Sequence, residues 1–116
     1  MTINEVPEVV IDPAEGYKFI VAELTDGNGG KRLVVRANQD CHMHRDILAL
    51  LRREVRPSGL DAHCTGGGRI EIKPAEKTIR IWASSGDFGE EDDRKETVRM
   101  LQAAFPEFQV TGESGW

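Results

Sequence analysis

The chain is poor in cysteine, in long apolar runs and in positive charge, and each shortage removes a class of protein. Two cysteines in 116 residues, Cys41 and Cys64, cannot build a disulfide framework, so a reducing, cytoplasmic setting is expected. No apolar stretch approaches the roughly 20 residues that a membrane span needs. The opening MTINEVPEVV has neither the basic start nor the apolar stretch of a signal peptide, so no membrane association is expected. The 15 Lys and Arg against 20 Asp and Glu leave a net charge of −5, which argues against non-specific nucleic-acid binding. The same imbalance means that any anion site must be built locally, because the overall field repels anions. Repeats, low-complexity tracts and internal linkers are missing as well. His44-Arg45-Asp46 and Asp87-Phe88-Gly89 spell two protein-kinase tripeptides. Yet no glycine-rich nucleotide loop is followed by a strand lysine, and a chain of this length cannot hold two kinase lobes.

What is present reads as one domain, 1–116. Hydrophobic residues at 39% and charged residues at 30% are ordinary for a globular protein of this size. PEVVID (7–12) alternates weakly as a short strand, and YKFIVAEL (17–24) is β-rich and apolar on both faces. DGNGG (26–30) makes a turn into strand KRLVVR (31–36). From 41 to 55 the period changes to 3.6, with Cys41, His44, Ile47, Leu48, Leu51 and Val55 on one helical face. Asp40 is placed to cap that helix, and Arg56 before Pro57 to end it. The glycines of CTGGGRIEI (64–72) lead into a strand with Ile70 and Ile72 inward, and TIRIWAS (78–84) returns with Ile79 and Ile81 inward. A second helix is expected from about Glu90 to Ala104, acidic in its first turn, with Val98, Leu101 and Phe105 inward. EFQVT (107–111) is a last strand. The expected fold is α+β: a mixed sheet of about six strands with two α-helices packed on it.

Three segments carry residues suited to chemistry. In CHMH, His44 shares the face of Ile47 and Leu48, whereas His42 lies about 160° away and is expected to face solvent or the rim. A first-turn histidine sits near positive partial charge, which keeps its imidazole neutral and basic. That suits a general base or a nucleophile; it also suits a core histidine bonded to a carbonyl. In GGGR, glycines 66–68 let backbone amides approach a ligand, and Arg69 offers a forked donor to phosphoryl oxygens; a plain turn or bulge is the structural alternative. In SSGDFG (84–89), small residues before a helix can form an amide nest for an anion, or Asp87 can simply cap that helix.

Together these segments resemble the protein histidine phosphatases, the Janus/Ocnus family. The likeness rests on Tyr17-Lys18, His44-Arg45-Asp46-Ile47, Cys64-Thr65-Gly66-Gly67-Gly68-Arg69-Ile70, Ser84-Ser85-Gly86-Asp87-Phe88-Gly89 and Phe105-Pro106, and spans about residue 7 to Trp116. The resemblance implies that His44 is the catalytic group, that Lys18 and Arg69 bind substrate, and that Ser85, Gly86 and Asp87 form the loop around the phosphate. It implies a metal-independent phosphatase with no cofactor, acting as a monomer on phosphohistidine-bearing proteins and accepting phosphate- or sulfate-like anions. The chain departs from the family pattern at Gly86 and Asp87, where better-known members have a methionine and a small residue. A carboxylate there repels phosphate unless it turns away to cap the helix, and adjacent Ser84 and Ser85 both offer a hydroxyl. Two rival readings are a zinc site built from Cys41, His42, His44, His63 and Cys64, and a binding module that keeps the anion pocket without turnover.

Overall fold

The structure, a computed structural model, describes residues 2–11 and 17–114. They form a six-stranded mixed sheet and two α-helices, in the expected α+β arrangement. The strands are β1 (Val9–Ile11), β2 (Tyr17–Thr25), β3 (Lys31–Ala37), β4 (Asp61–Lys73), β5 (Thr78–Trp82) and β6 (Gln109–Gly112), in the order β1-β3-β2-β4-β5-β6. The two edge strands pair in parallel and the inner strands antiparallel. Asp12, the end of the first expected strand, lies outside the described residues.

β2 is apolar on both faces because a helix lies on each. Ile20, Ala22 and Leu24 pack with Ile47, Leu48, Leu51 and Val55 of α1 (His44–Val55). Phe19 and Val21 pack on the other side with Met100 and Leu101 of α2 (Arg94–Ala104), beside Ile70, Ile72, Ile79 and Ile81. The glycines do not merely lead into β4, as the sequence suggests; they lie inside it. Opposite Val21 and Ala22 the register slips, leaving Thr65 as an extra residue whose hydroxyl donates to the Val21 carbonyl, 3.1 Å away. A slip of one residue exchanges the two faces of a strand. Ala62 and Cys64 therefore pack under α1, whereas Ile70 and Ile72 pack on the α2 side. Beyond the bulge, Arg69 comes to lie directly across from Lys18, on the α1 face.

Both helices begin later than the sequence suggests. Asp40 does not cap α1: Asn38 closes a turn by accepting from the Asp40 and Cys41 amides, so the helix starts at His44 with no side-chain cap on Met43. Its end at Val55 agrees with the sequence, and a 3-10 turn (Arg56–Ser58) carries the chain on to Gly59. Glu90 to Asp93 precede α2. Asp93, not Asp87, caps it by accepting from the Glu96 amide, and Glu91 turns inward to bind Arg94 and Thr97.

Candidate active site

α1 covers β2 and the first half of β4 but stops short of the half that pairs with β5. At that step, a cavity of about 260 Å³ is lined by Lys18, Met43, His44, Arg69, Ser84, Gly86 and Asp87. Four separate elements supply these residues. Lys18 comes from β2 and Arg69 from β4, side by side in register. Met43 and His44 come from the start of α1, and Ser84, Gly86 and Asp87 from the loop after β5.

His44 is 5% exposed, and its Nε2 lies 2.9 Å from the Gly68 carbonyl oxygen. A carbonyl only accepts, so the bond assigns the proton to Nε2 and leaves the lone pair on Nδ1. Burial, the largest influence, lowers the pKa of His44, and the charges of Lys18 and Arg69 push the same way. The Gly68 carbonyl and the Asp87 carboxylate oppose them without reversing the direction. The imidazole at the cavity wall is thus neutral and basic at neutral pH. His42 is exposed; it contributes its main-chain carbonyl, which accepts from Lys18 Nζ and ties the approach to α1 onto β2.

The glycine run brings the chain's own backbone close. A Cβ on Gly66, whose φ is +152°, would lie 2.2 Å from the Glu91 amide nitrogen, and one on Gly68 would lie 2.3 Å from the Trp82 carbonyl oxygen. These contacts pull β4 against β5 and the approach to α2, and they fix the carbonyl that holds His44. On the opposite face Arg94 donates to the carbonyls of Gly67 (3.2 Å) and Ala83 (3.0 Å) while paired with Glu91 at 2.7 Å. Two adjacent carbonyls of the glycine run are therefore gripped from opposite sides of the sheet. Arg94 was not singled out in the sequence; an arginine three residues after a glutamate before an apolar stripe was its only signal.

The loop after β5 is closed on itself. Ser85 is 4% exposed, its amide donates to Gly89 O, its carbonyl accepts from the Gly89 amide, and its Oγ accepts from the Asp87 and Phe88 amides at 3.2 and 3.1 Å. The hydroxyl-bearing residue on the cavity wall is Ser84, and Ser85 lies behind it. Asp87 is exposed and lines the cavity instead of capping α2. Of the expected set, the fold brings Lys18, His44, Arg69, Gly86 and Asp87 together and sets Ser85 behind them. The residues of the zinc alternative do not gather. Among the described residues, no three His, Cys, Asp or Glu side chains converge on a point where a metal could sit. Burial raises the Cys64 thiol to about 11, far from a ready thiolate ligand. Also among the described residues, no helix is long and apolar enough to cross a membrane.

Fold and cavity together define a small α+β protein with a cavity lined by a buried neutral histidine, a lysine and an arginine. The sequence profile of the Janus/Ocnus family matches residues 3–109, and the chain belongs to that family. It is 34% identical over 112 residues to the sex-regulated protein janus-A of Drosophila yakuba, across 96% of this chain and 82% of that protein. The Drosophila melanogaster janus-A is 33% identical over 105 residues, 90% of this chain and 77% of that one. A 14 kDa phosphohistidine phosphatase of Sus scrofa is 26% identical over 115 residues, across 94% and 90% of the two chains.

Proposed function

We propose that this protein hydrolyses the P–N bond of phosphohistidine on protein substrates, and of phospholysine by the same chemistry. The observation that carries this reading is the convergence of Lys18, Arg69 and the buried, basic His44 on one cavity. The name of the Sus scrofa relative supports the same substrate class.

Lys18 and Arg69 would hold the non-bridging phosphoryl oxygens and neutralise charge as it spreads over them in the transition state. His44 Nδ1 takes a proton from an attacking water. The water oxygen forms the new P–O bond as the P–N bond breaks, and the departing nitrogen keeps the bonding pair and takes up the proton that His44 removed from the water. Alternatively the Nδ1 lone pair itself attacks phosphorus as the substrate P–N bond breaks, its nitrogen leaving with the bonding pair and a proton from solvent, and water then hydrolyses the phosphorylated His44. Quenching in alkaline detergent, where phosphohistidine survives, during turnover of labelled substrate separates the two routes, since only the second leaves phosphate on the protein. Neither route requires a metal, so turnover should survive a chelator.

A second reading, an anion-binding module without turnover, draws support from the Asp87 carboxylate at the cavity. The test for both is phosphate release from phosphohistidine and phospholysine peptides, beside phosphoserine and phosphotyrosine peptides of matched sequence. Release from the P–N substrates is the expected result. Preference for the phosphoesters would overturn the proposal, and binding without release would favour the module.

A further inference from the structure

The 10 arginines of the chain divide by partner. Arg32, Arg36, Arg80, Arg94 and Arg99 each reach a carboxylate at 3.9 Å or less. Among the described residues, Arg45, Arg52, Arg53, Arg56 and Arg69 form no such ion pair. Arg69 lines the cavity; the other four are exposed on α1 and the turn that ends it. Spacings of seven and four residues put Arg45, Arg52 and Arg56 in one row on the helix. At 1.5 Å per residue the row is about 16 Å long, and it begins at the residue next to His44.

The row lies on the flank of α1 that meets β4, where Arg52 Nε donates to the Ala62 carbonyl at 3.2 Å. A hollow of about 240 Å³ there is lined by Arg52, Arg56, Leu60, Asp61 and Ala62. Asp61 is its one acidic group and forms no ion pair with either arginine. Asp46 and Glu54 lie on other sides of the helix, and Glu54 is bound to Arg36 at 3.0 Å. Arg52 and Arg56, four residues apart, repel one another, and among the described residues neither forms an ion pair that would neutralise it. In a chain of net charge −5, a row of unneutralised arginines leading away from an anion pocket is complementary to a negatively charged partner.

We infer that Arg45, Arg52 and Arg56 form a docking surface for an acidic segment of the phosphoprotein whose phosphohistidine enters the cavity. The inference rests on the reading of that cavity given above. An extended segment advances about 3.3 Å per residue, so the row spans about five residues. The substrate segment carries Asp or Glu within that distance of its phosphohistidine. Contacts at such an exposed rim act chiefly on encounter and on salt dependence.

The test compares wild type with Arg45→Gln/Arg52→Gln/Arg56→Gln, and with Arg99→Gln on α2 as a control for charge loss on the other face of the sheet. Three substrates are used: the phosphoramidate ion, a phosphohistidine peptide with neutral flanks, and the same peptide with acidic flanks. At low salt the wild type should favour the acidic peptide by about tenfold in kcat/KM, an advantage that shrinks as salt rises. The triple variant should lose this preference through KM and keep wild-type turnover of phosphoramidate; Arg99→Gln should keep both. Equal use of the two peptides by wild type, or a preference that survives in the triple variant, overturns the inference. If none of the three substrates is hydrolysed, it is the cavity reading that has failed. The row is then tested alone, by fluorescence anisotropy with the unphosphorylated acidic peptide. Salt-sensitive binding lost in the triple variant upholds it, and no binding to wild type overturns it. Binding of phosphatidylserine vesicles without any preference between the peptides also overturns it. Should the triple variant fail to fold by circular dichroism, Arg45→Gln and Arg56→Gln are measured singly by the same criteria.

Discussion

His44 and His42 stand two residues apart, and the helix sends them to opposite fates. One is buried against the Gly68 carbonyl at the cavity; the other has its ring in solvent. This much was legible in the sequence, because a 3.6 period through Ile47, Leu48 and Leu51 already points His44 inward. If Nδ1 is the reacting nitrogen, His44→Ala should lower kcat/KM by roughly 10²–10⁴-fold while the protein stays folded, and His42→Ala should stay near wild type. Burial lowers the pKa of His44, so the acid limb of the wild-type pH–rate profile should fall below the ordinary imidazole value of 6.5. An active, folded His44→Ala variant would refute the assignment. Asp87 is the residue whose position the sequence left open, since it could cap a helix or line the pocket. Asp93 takes the cap, and Asp87 is left lining the cavity. Its carboxylate opposes the lowering of the His44 pKa and, under the proposed function, would repel phosphoryl oxygens. Asp87→Asn should therefore tighten substrate binding by about two- to fivefold and move the acid limb to still lower pH. Kinetics across pH 4.5–7.5 check both signs; a weakened KM would mean that Asp87 helps hold the substrate.

At the scale of elements, periodicity located every strand and both helices. What it missed were the places where tertiary contacts override local pattern. The bulge at Thr65 is one: an unbroken alternation through 61–73 would put Arg69 on the α2 face, away from His44. Three glycines announce that something happens there but not which way the strand turns over. The start of α2 is the other. Four acidic residues in a row look like a first turn, yet Glu91 is drawn inside by Arg94, which reaches Gly67, Ala83 and Glu113 carbonyls and stacks over Phe19 at 5.3 Å. The spacing of three lets Glu91 and Arg94 meet, but nothing local foretells that the pair is buried to 5% and 3% side-chain exposure. Removing one partner from such a pair leaves an uncompensated buried charge, so Arg94→Met should cost about 3–5 kcal/mol. That is a large share of the roughly 5–15 kcal/mol that holds a small domain folded. Adding Glu91→Gln should recover part of the loss, since the stranded charge goes with it. Urea denaturation of the single and double variants measures this. A loss under about 1 kcal/mol in the single variant would show that Arg94 is replaceable packing.

For the whole molecule, the one sheet separates two cores, and two buried groups whose pKa values burial shifts lie on the same side of it. His44 and Cys64 are both on the α1 face, one at the cavity and one within the apolar cluster. Folding pushes them in opposite directions, so together they bound the pH range of stability. The native pKa of His44 is depressed. Below 6.5 the unfolded chain binds a proton that the native state resists, and stability falls as the pH drops. The Cys64 thiol is raised by burial from 9.0 to about 11. Across that interval the unfolded thiol ionises while the native one stays protonated, so the unfolded state binds fewer protons and stability falls as pH rises. One group over such an interval accounts for up to about 2–3 kcal/mol. Cys64→Ala should therefore be modestly less stable than wild type at pH 7.5, because a buried thiol is lost, yet should decline less steeply toward pH 10.5. The measurement is the unfolding free energy from urea at four or five pH values, with the difference in slope between the two proteins as the readout. That subtraction cancels every titration the two proteins share. Parallel curves would mean that Cys64 ionises as readily in the native state as in the unfolded chain, and that the α1 layer admits water at its sulfur.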